Sequence, residues 1–79
     1  MADAKGLVEM LVKRLVDNPD EVNLTEIEGE RSIILELRVN KSDVGKVIGK
    51  GGRIVMAIRT LLFAMAKGSD KRVMLEVIE

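Results

Sequence analysis

Neither cysteine nor histidine occurs anywhere in the 79 residues. Disulfide frameworks, zinc fingers, thiol nucleophiles, histidine general bases and Ser-His-Asp relays are therefore excluded by composition. Trp and Tyr are also missing and Phe63 is the single aromatic residue, so recognition of nucleobases by stacking on an aromatic platform is physically unavailable. No stretch approaches the roughly 18 consecutive apolar residues of a membrane span. Asp3 and Glu9 interrupt the amino-terminal apolar run, which argues against a secretory signal and for a cytoplasmic protein that does not contact membranes. Carboxylates are the only plausible acid-base groups and none is paired in an evident apolar setting, so no catalytic residue, metal ligand or cofactor is expected.

What is present describes a folded chain: 47% hydrophobic and 33% charged residues with one proline. The length suits one domain, residues 1–79. A chain this short buries only about 60 to 65% of its unfolded surface, so its stability should be thin unless a second chain adds to it. Thirteen basic side chains balance thirteen acidic ones, but unevenly. Residues 1–30 hold three basic and eight acidic groups, a net of −5, and residues 31–79 hold ten and five, a net of +5. Such asymmetry hints at a face turned to a polyanion, although ordinary solvated surface also accounts for it.

Periodicity predicts the order helix, strand, strand, helix, helix, strand. Leu7, Val8, Leu11, Val12, Leu15 and Val16 recur at three- and four-residue spacing on one helical face between Asp3 and Asp17. Pro19 should stop that helix. Val22 to Glu28 reads as a strand whose parity shifts from Val22 and Leu24 to Thr25 and Ile27, so a bulge is expected there. Gly29 turns the chain into a clearer strand, Ser32 to Val39, and the pair should form a hairpin. Ser42 and Asp43 suit the start of a short helix ending near Gly49. A second helix should run from about Arg53 to Ala66, and a third strand from Arg72 to Ile78. The strand at 32–39, the helix pair and the last strand make a right-handed crossover with those two strands parallel. The fold class is thus α+β: a three-stranded mixed sheet with helices packed on one face.

Between the two later helices stands Gly49-Lys50-Gly51-Gly52. Glycine is used where backbone must approach a ligand closely, and this loop opens a helix whose first N–H groups lack internal partners and favour an anion. Lys50, Arg53 and, one turn earlier, Lys46 add positive charge. A nucleotide P-loop is excluded, because Lys50 is followed by Gly51 rather than a hydroxyl residue and no strand feeds the loop. The dinucleotide fingerprint fails for want of a preceding strand. Two readings stay open on residue types alone: phosphate contact, or a helix connection that merely needs positive φ.

Val47-Ile48-Gly49-Lys50-Gly51-Gly52-Arg53-Ile54-Val55 resembles the KH signature, an apolar pair followed by GxxG and an apolar helix start. The order of elements, α-β-β-α-α-β, resembles the type II KH arrangement over essentially the whole chain. The run from Val39 to Leu62, with the short length, is similar to the KhpA family of small bacterial single-KH RNA-binding proteins. That resemblance implies a groove for about four unpaired nucleotides, of RNA or single-stranded DNA, with the loop clamping backbone phosphates. It maps binding onto Gly49, Lys50, Gly51, Gly52 and Arg53, with Lys46, Val47, Ile48 and Ile54 beside them. Val44, Val47, Ile48, Ile54 and Val55 are either the apolar floor of the groove or the core beneath it. Arg38, Lys41, Lys71 and Arg72 could flank its strand side. The resemblance further implies an RNA chaperone or post-transcriptional regulator, linked to cell-length and cell-wall homeostasis. A noncatalytic protein–protein adaptor with a vestigial loop is the alternative.

The last helix is apolar on two sides. Ile54, Val55, Ile58, Leu61, Leu62 and Met65 share an arc that should pack on the sheet, whereas Met56 and Phe63 lie opposite, among Arg59, Thr60 and Lys67. Either another helix covers Met56 and Phe63, or Met56, Arg59, Thr60 and Phe63 form a dimer seam. The family resemblance implies pairing with a second copy or with a larger Jag-type KH protein, and two linked grooves would raise avidity for longer RNA.

Overall fold

Helix α1, Ala4–Leu15, carries Ala4, Val8 and Val12 at four-residue spacing, and these three are buried. The computed structural model describes residues 3–79; Met1 and Ala2, which the single-domain expectation includes, lie outside them. The helix ends sooner than Pro19 would require. Val16 is already extended, at φ −96° and ψ 160°, with its N–H still bonded to the Val12 carbonyl. That turn sends the Val16 side chain into the core, and Leu15, expected on the buried face, is left exposed. Pro19 instead opens a one-turn 3₁₀ segment, Pro19–Glu21, where its fixed φ and missing N–H cost nothing.

Strand β1, Asn23–Glu28, pairs antiparallel with β2, Ser32–Arg38, through an unbroken register from Asn23 opposite Arg38 to Glu28 opposite Ile33. The expected bulge does not form. β1 lies at the sheet edge and only Leu24 is buried in it, so a mismatch of parity beyond Leu24 is met by leaving Ile27 on the open face. The Gly29 N–H closes the hairpin onto the Ser32 carbonyl at 2.7 Å. Strand β3, Arg72–Val77, runs parallel to β2, from Ser32 opposite Arg72 to Leu37 opposite Val77. The order is β1-β2-β3, with the best-patterned strand central as predicted.

Helices α2, Val44–Ile48, and α3, Arg53–Met65, join α1 on one face of the sheet. Leu35 and Leu37 of β2 and Leu75 of β3 meet Val8 and Val12 of α1, Val47 of α2, and Val55, Ile58 and Leu62 of α3 in a single core. Helix α2 starts where expected, with Asp43 at its capping position and Gly49 just past its end. A 3₁₀ turn over Lys41–Asp43 leads into it, capped by Asn40, whose Oδ1 accepts from the Ser42 N–H and Oγ, each at 2.8 Å. No helix among the described residues is long and apolar enough to cross a membrane.

Candidate nucleic-acid interface

The loop that joins α2 to α3 is built around three glycines of positive φ: Gly49 at 79°, Gly51 at 64° and Gly52 at 80°. They are not equivalent. At Gly49, with ψ 169°, the backbone is in a region that only glycine enters readily, and a Cβ would stand 2.6 Å from Ile54 Cγ1 and 2.9 Å from the Ile54 nitrogen. Gly49 therefore lets the end of α2 press against the first turn of α3. At Gly51 and Gly52 a Cβ would meet nothing within 4 Å. Those two residues leave the outer side of the loop as bare backbone.

Three N–H groups at the loop are already used: Gly49 donates to the Gly45 carbonyl at 2.9 Å, Gly52 to that of Gly49 at 3.1 Å and Arg53 to that of Lys50. The N–H groups of Lys50 and Gly51 make no hydrogen bond to the described residues. They stand beside the N-terminus of the 13-residue α3, where the peptide dipoles favour negative charge. The Lys50 and Arg53 side chains are exposed at this mouth. Bare N–H donors, a helix terminus and two cations suit a phosphodiester, whose oxygens need short unobstructed approach.

The other sequence candidates divide between core and surface. Val47 is wholly buried, so its side chain belongs to the core and is not offered to a ligand; Val55 is likewise interior. Ile48 and Ile54 are half-buried against that core and reach the surface beside Gly49. Lys46 lies between two carboxylates, 3.4 Å from Asp17 and 3.9 Å from Asp43. Arg38 lies 3.8 Å from Glu36, and Lys71 is ion-paired to Glu28. The hydrogen bond from Lys71, reinforced by its charge, holds the Glu28 carboxyl below its usual range. Lys41 and Arg72 are exposed.

Sequence reading passed over Asp43 as an ordinary helix-start residue. It is fully buried, and its carboxylate accepts hydrogen bonds from the Asp17 N–H at 3.2 Å, the Asn18 N–H at 3.0 Å and Asn18 Nδ2 at 3.0 Å. Burial by itself would push its pKa up. The hydrogen bonds from Asn18 and Asp17, with the Lys46 charge, outweigh that and hold it below the ordinary carboxylate value. No local signal marks this role, because the donors lie 25 and 26 residues earlier.

Neither α1 nor α2 covers the outer face of α3. Phe63 is 76% exposed and Met56 62% exposed, with Arg59 and Thr60 between them. These four line one hollow of about 340 Å³, and Phe63 also borders a larger one of about 670 Å³ walled by β3 and the connection from α3. Leu61, expected on the sheet side, is instead exposed, because the arc of α3 that reaches the core is narrow: Val55, Ile58 and Leu62 fill it. Arg59 reaches across to β3. The N–H groups of Arg72 and Ile78 turn toward β2, bonding the Arg31 and Leu37 carbonyls, so alternation turns the Leu75 carbonyl outward. Arg59 fills it with two bonds, from Nε at 3.2 Å and Nη2 at 2.9 Å.

Comparison with known proteins agrees with this architecture. The family described as "KhpA/KhpB, KH domain" matches residues 5–77. The chain is similar to the "RNA-binding protein KhpA" of Aquifex aeolicus, 52% identical over 79 residues and the full length of both. It is 60% identical to the protein of that name from Borreliella burgdorferi, over 92% of this chain and 89% of the relative. With the Clostridium acetobutylicum protein, also named "RNA-binding protein KhpA", it shares 57% identity over 94% of this chain and 99% of the relative. No solved structure matches. Sheet order, the glycine loop between two helices and these full-length relatives agree: the chain belongs to the KhpA/KhpB family of KH domains.

Proposed function

We propose that the chain is a noncatalytic single KH domain that binds single-stranded RNA, holding backbone phosphates at Gly49, Lys50, Gly51 and Gly52. The observation that carries this reading is the outer side of the loop. There Gly51 and Gly52 are held at positive φ with open space where side chains would project, and the Lys50 and Gly51 N–H groups are free to donate. Lys50 and Arg53 supply the charge. Ile48 and Ile54 supply aliphatic contact to bases in the absence of an aromatic platform. The names of the full-length relatives point to the same polymer.

With two or three phosphates engaged, the log-log dependence of affinity on salt should have a slope of about −1.4 to −2.1. The test replaces Gly51 and Gly52 together by Asp, and separately by Asn. Both variants carry the same backbone strain, and Asn and Asp are the residues that tolerate left-handed φ best. A gel-shift titration with single-stranded RNA should show binding lost with Asp, where carboxylates face phosphate, and retained in part with Asn. Equal, undiminished affinity in all three proteins would reject the loop as the grip.

Family resemblance extends the proposal to an RNA chaperone or post-transcriptional regulator in the cytoplasm, connected with cell-length and cell-wall homeostasis. The uncovered face of α3 favours a partner there: a second copy of the chain, or a larger Jag-type KH protein, seated on Met56, Arg59, Thr60 and Phe63. The same face supports the second reading, an adaptor between proteins whose loop is vestigial. Wild-type protein that ignores RNA at every salt concentration while holding a protein partner would favour that reading.

A further inference from the structure

Helix α2 has five residues, far fewer than the ~12 to 15 at which a helix begins to hold itself in water. It also delivers the loop, since Gly49 follows Ile48 directly. Its placement must therefore come from tertiary contacts. On one side Val47 is wholly buried in the core. At the other end stands Asp43, which occupies the capping position of α2 yet bonds none of that helix's N–H groups. Its oxygens are committed to the connection between α1 and β1, to the backbone of Asp17 and Asn18 and to the Asn18 amide. Lys46, one turn into α2, leans on the same corner through Asp17 and Asp43. Asp43 is the only charged or polar side chain that is buried among the described residues. A buried carboxylate is costly unless its oxygens are satisfied, so this contact has one geometry and little tolerance.

We infer that Asp43 is a positioning residue for RNA binding: by fastening the start of α2 to the α1–β1 connection, it fixes where the Lys50 and Gly51 N–H groups point. The inference rests on the proposed phosphate grip. Asp43 touches no nucleotide. It acts through α2, and loss of its hydrogen bonds should leave a folded protein whose loop is misplaced or mobile.

Asp43→Asn removes one acceptor oxygen and turns an NH₂ toward N–H donors, so at least one of the three bonds is lost. Circular dichroism should show it folded, with RNA affinity at least about fivefold weaker. Its salt slope should be shallower by about 0.7 for each phosphate no longer held. Its amide resonances at Lys50 and Gly51 should shift. Val8→Ala, a deletion in α1, is the control for stability alone and should keep the wild-type slope and loop resonances. Should Asp43→Asn fail to fold, Asn18→Ala takes its place: it removes the side-chain donor, leaves the carboxylate, and should weaken binding in the same direction.

Wild-type affinity and slope in a folded Asp43→Asn protein would overturn the inference, as would an equal loss in Val8→Ala. So would undiminished binding in Asn18→Ala where that variant decides. The Gly51→Asp, Gly52→Asp protein separates the two failures. If it still binds RNA, the grip itself is wrong; if it does not while Asp43→Asn binds normally, only the positioning role is.

Discussion

Gly49 and Gly51 require glycine for different reasons, and substitution separates them. Gly51→Ala adds only the strain of a left-handed residue, about 1 to 2 kcal/mol, since its Cβ enters open space. Gly49→Ala adds a collision with Ile54 at 2.6 Å and should destabilise by about 3 kcal/mol or more. Urea midpoints should rank wild type above Gly51→Ala above Gly49→Ala; equal midpoints for the two variants would contradict the geometry. Asp43 carries a pH signature. Its folded pKa is depressed below the ordinary 3.8, so its contribution to stability is present above that value and is lost as pH falls through the depressed one. Acid titration of the unfolding midpoint below about pH 4 should therefore be flatter in Asp43→Asn than in wild type. An identical acid limb would show that folding leaves the pKa of this carboxylate unshifted.

At the scale of elements, α3 presents the chain's main unpartnered surface. Phe63→Asp places a charge at its most exposed apolar position. If that face pairs two copies, sedimentation should give twice the chain mass for wild type and the single mass for the variant, and the melting temperature should rise with protein concentration only in wild type. An unchanged mass removes the seam. How far these elements were legible depended on how wide a face each one buries. β2 alternates because both its neighbours and the helices above fix every residue to one side, and its parity was readable throughout. β1 buries Leu24 alone, so the parity shift beyond it carried no structural message. On α3 the helical wheel grouped Leu61 with Leu62, but a three-stranded sheet is too narrow to cover both. The start of α2 was readable from Asp43 at its capping position, whereas the 3₁₀ turn that Asn40 caps ahead of it has no spacing of its own. The conformation of the glycine loop was legible because positive φ is a local demand on residue type. Asp43 was not, because everything it bonds is brought to it by the fold.

Over the whole molecule, the two charge blocks fall on different parts of the fold. The acidic stretch 3–30 holds α1, its connection and β1; the basic remainder holds β2, the loop-bearing helices and β3. The blocks meet in two ion pairs, Lys46 with Asp17 and Lys71 with Glu28, while Lys50 and Arg53 are exposed at the loop and should speed encounter with a polyanion at low salt. The guanidinium of Arg59 has a consequence at this scale too. The sheet ends on one side at β3, and a bare strand there would invite another chain to zip alongside it. Because Arg59 plugs the outward oxygen of Leu75, an incoming strand finds its central socket taken. A second copy of the chain could extend the sheet at that edge only by first displacing the guanidinium.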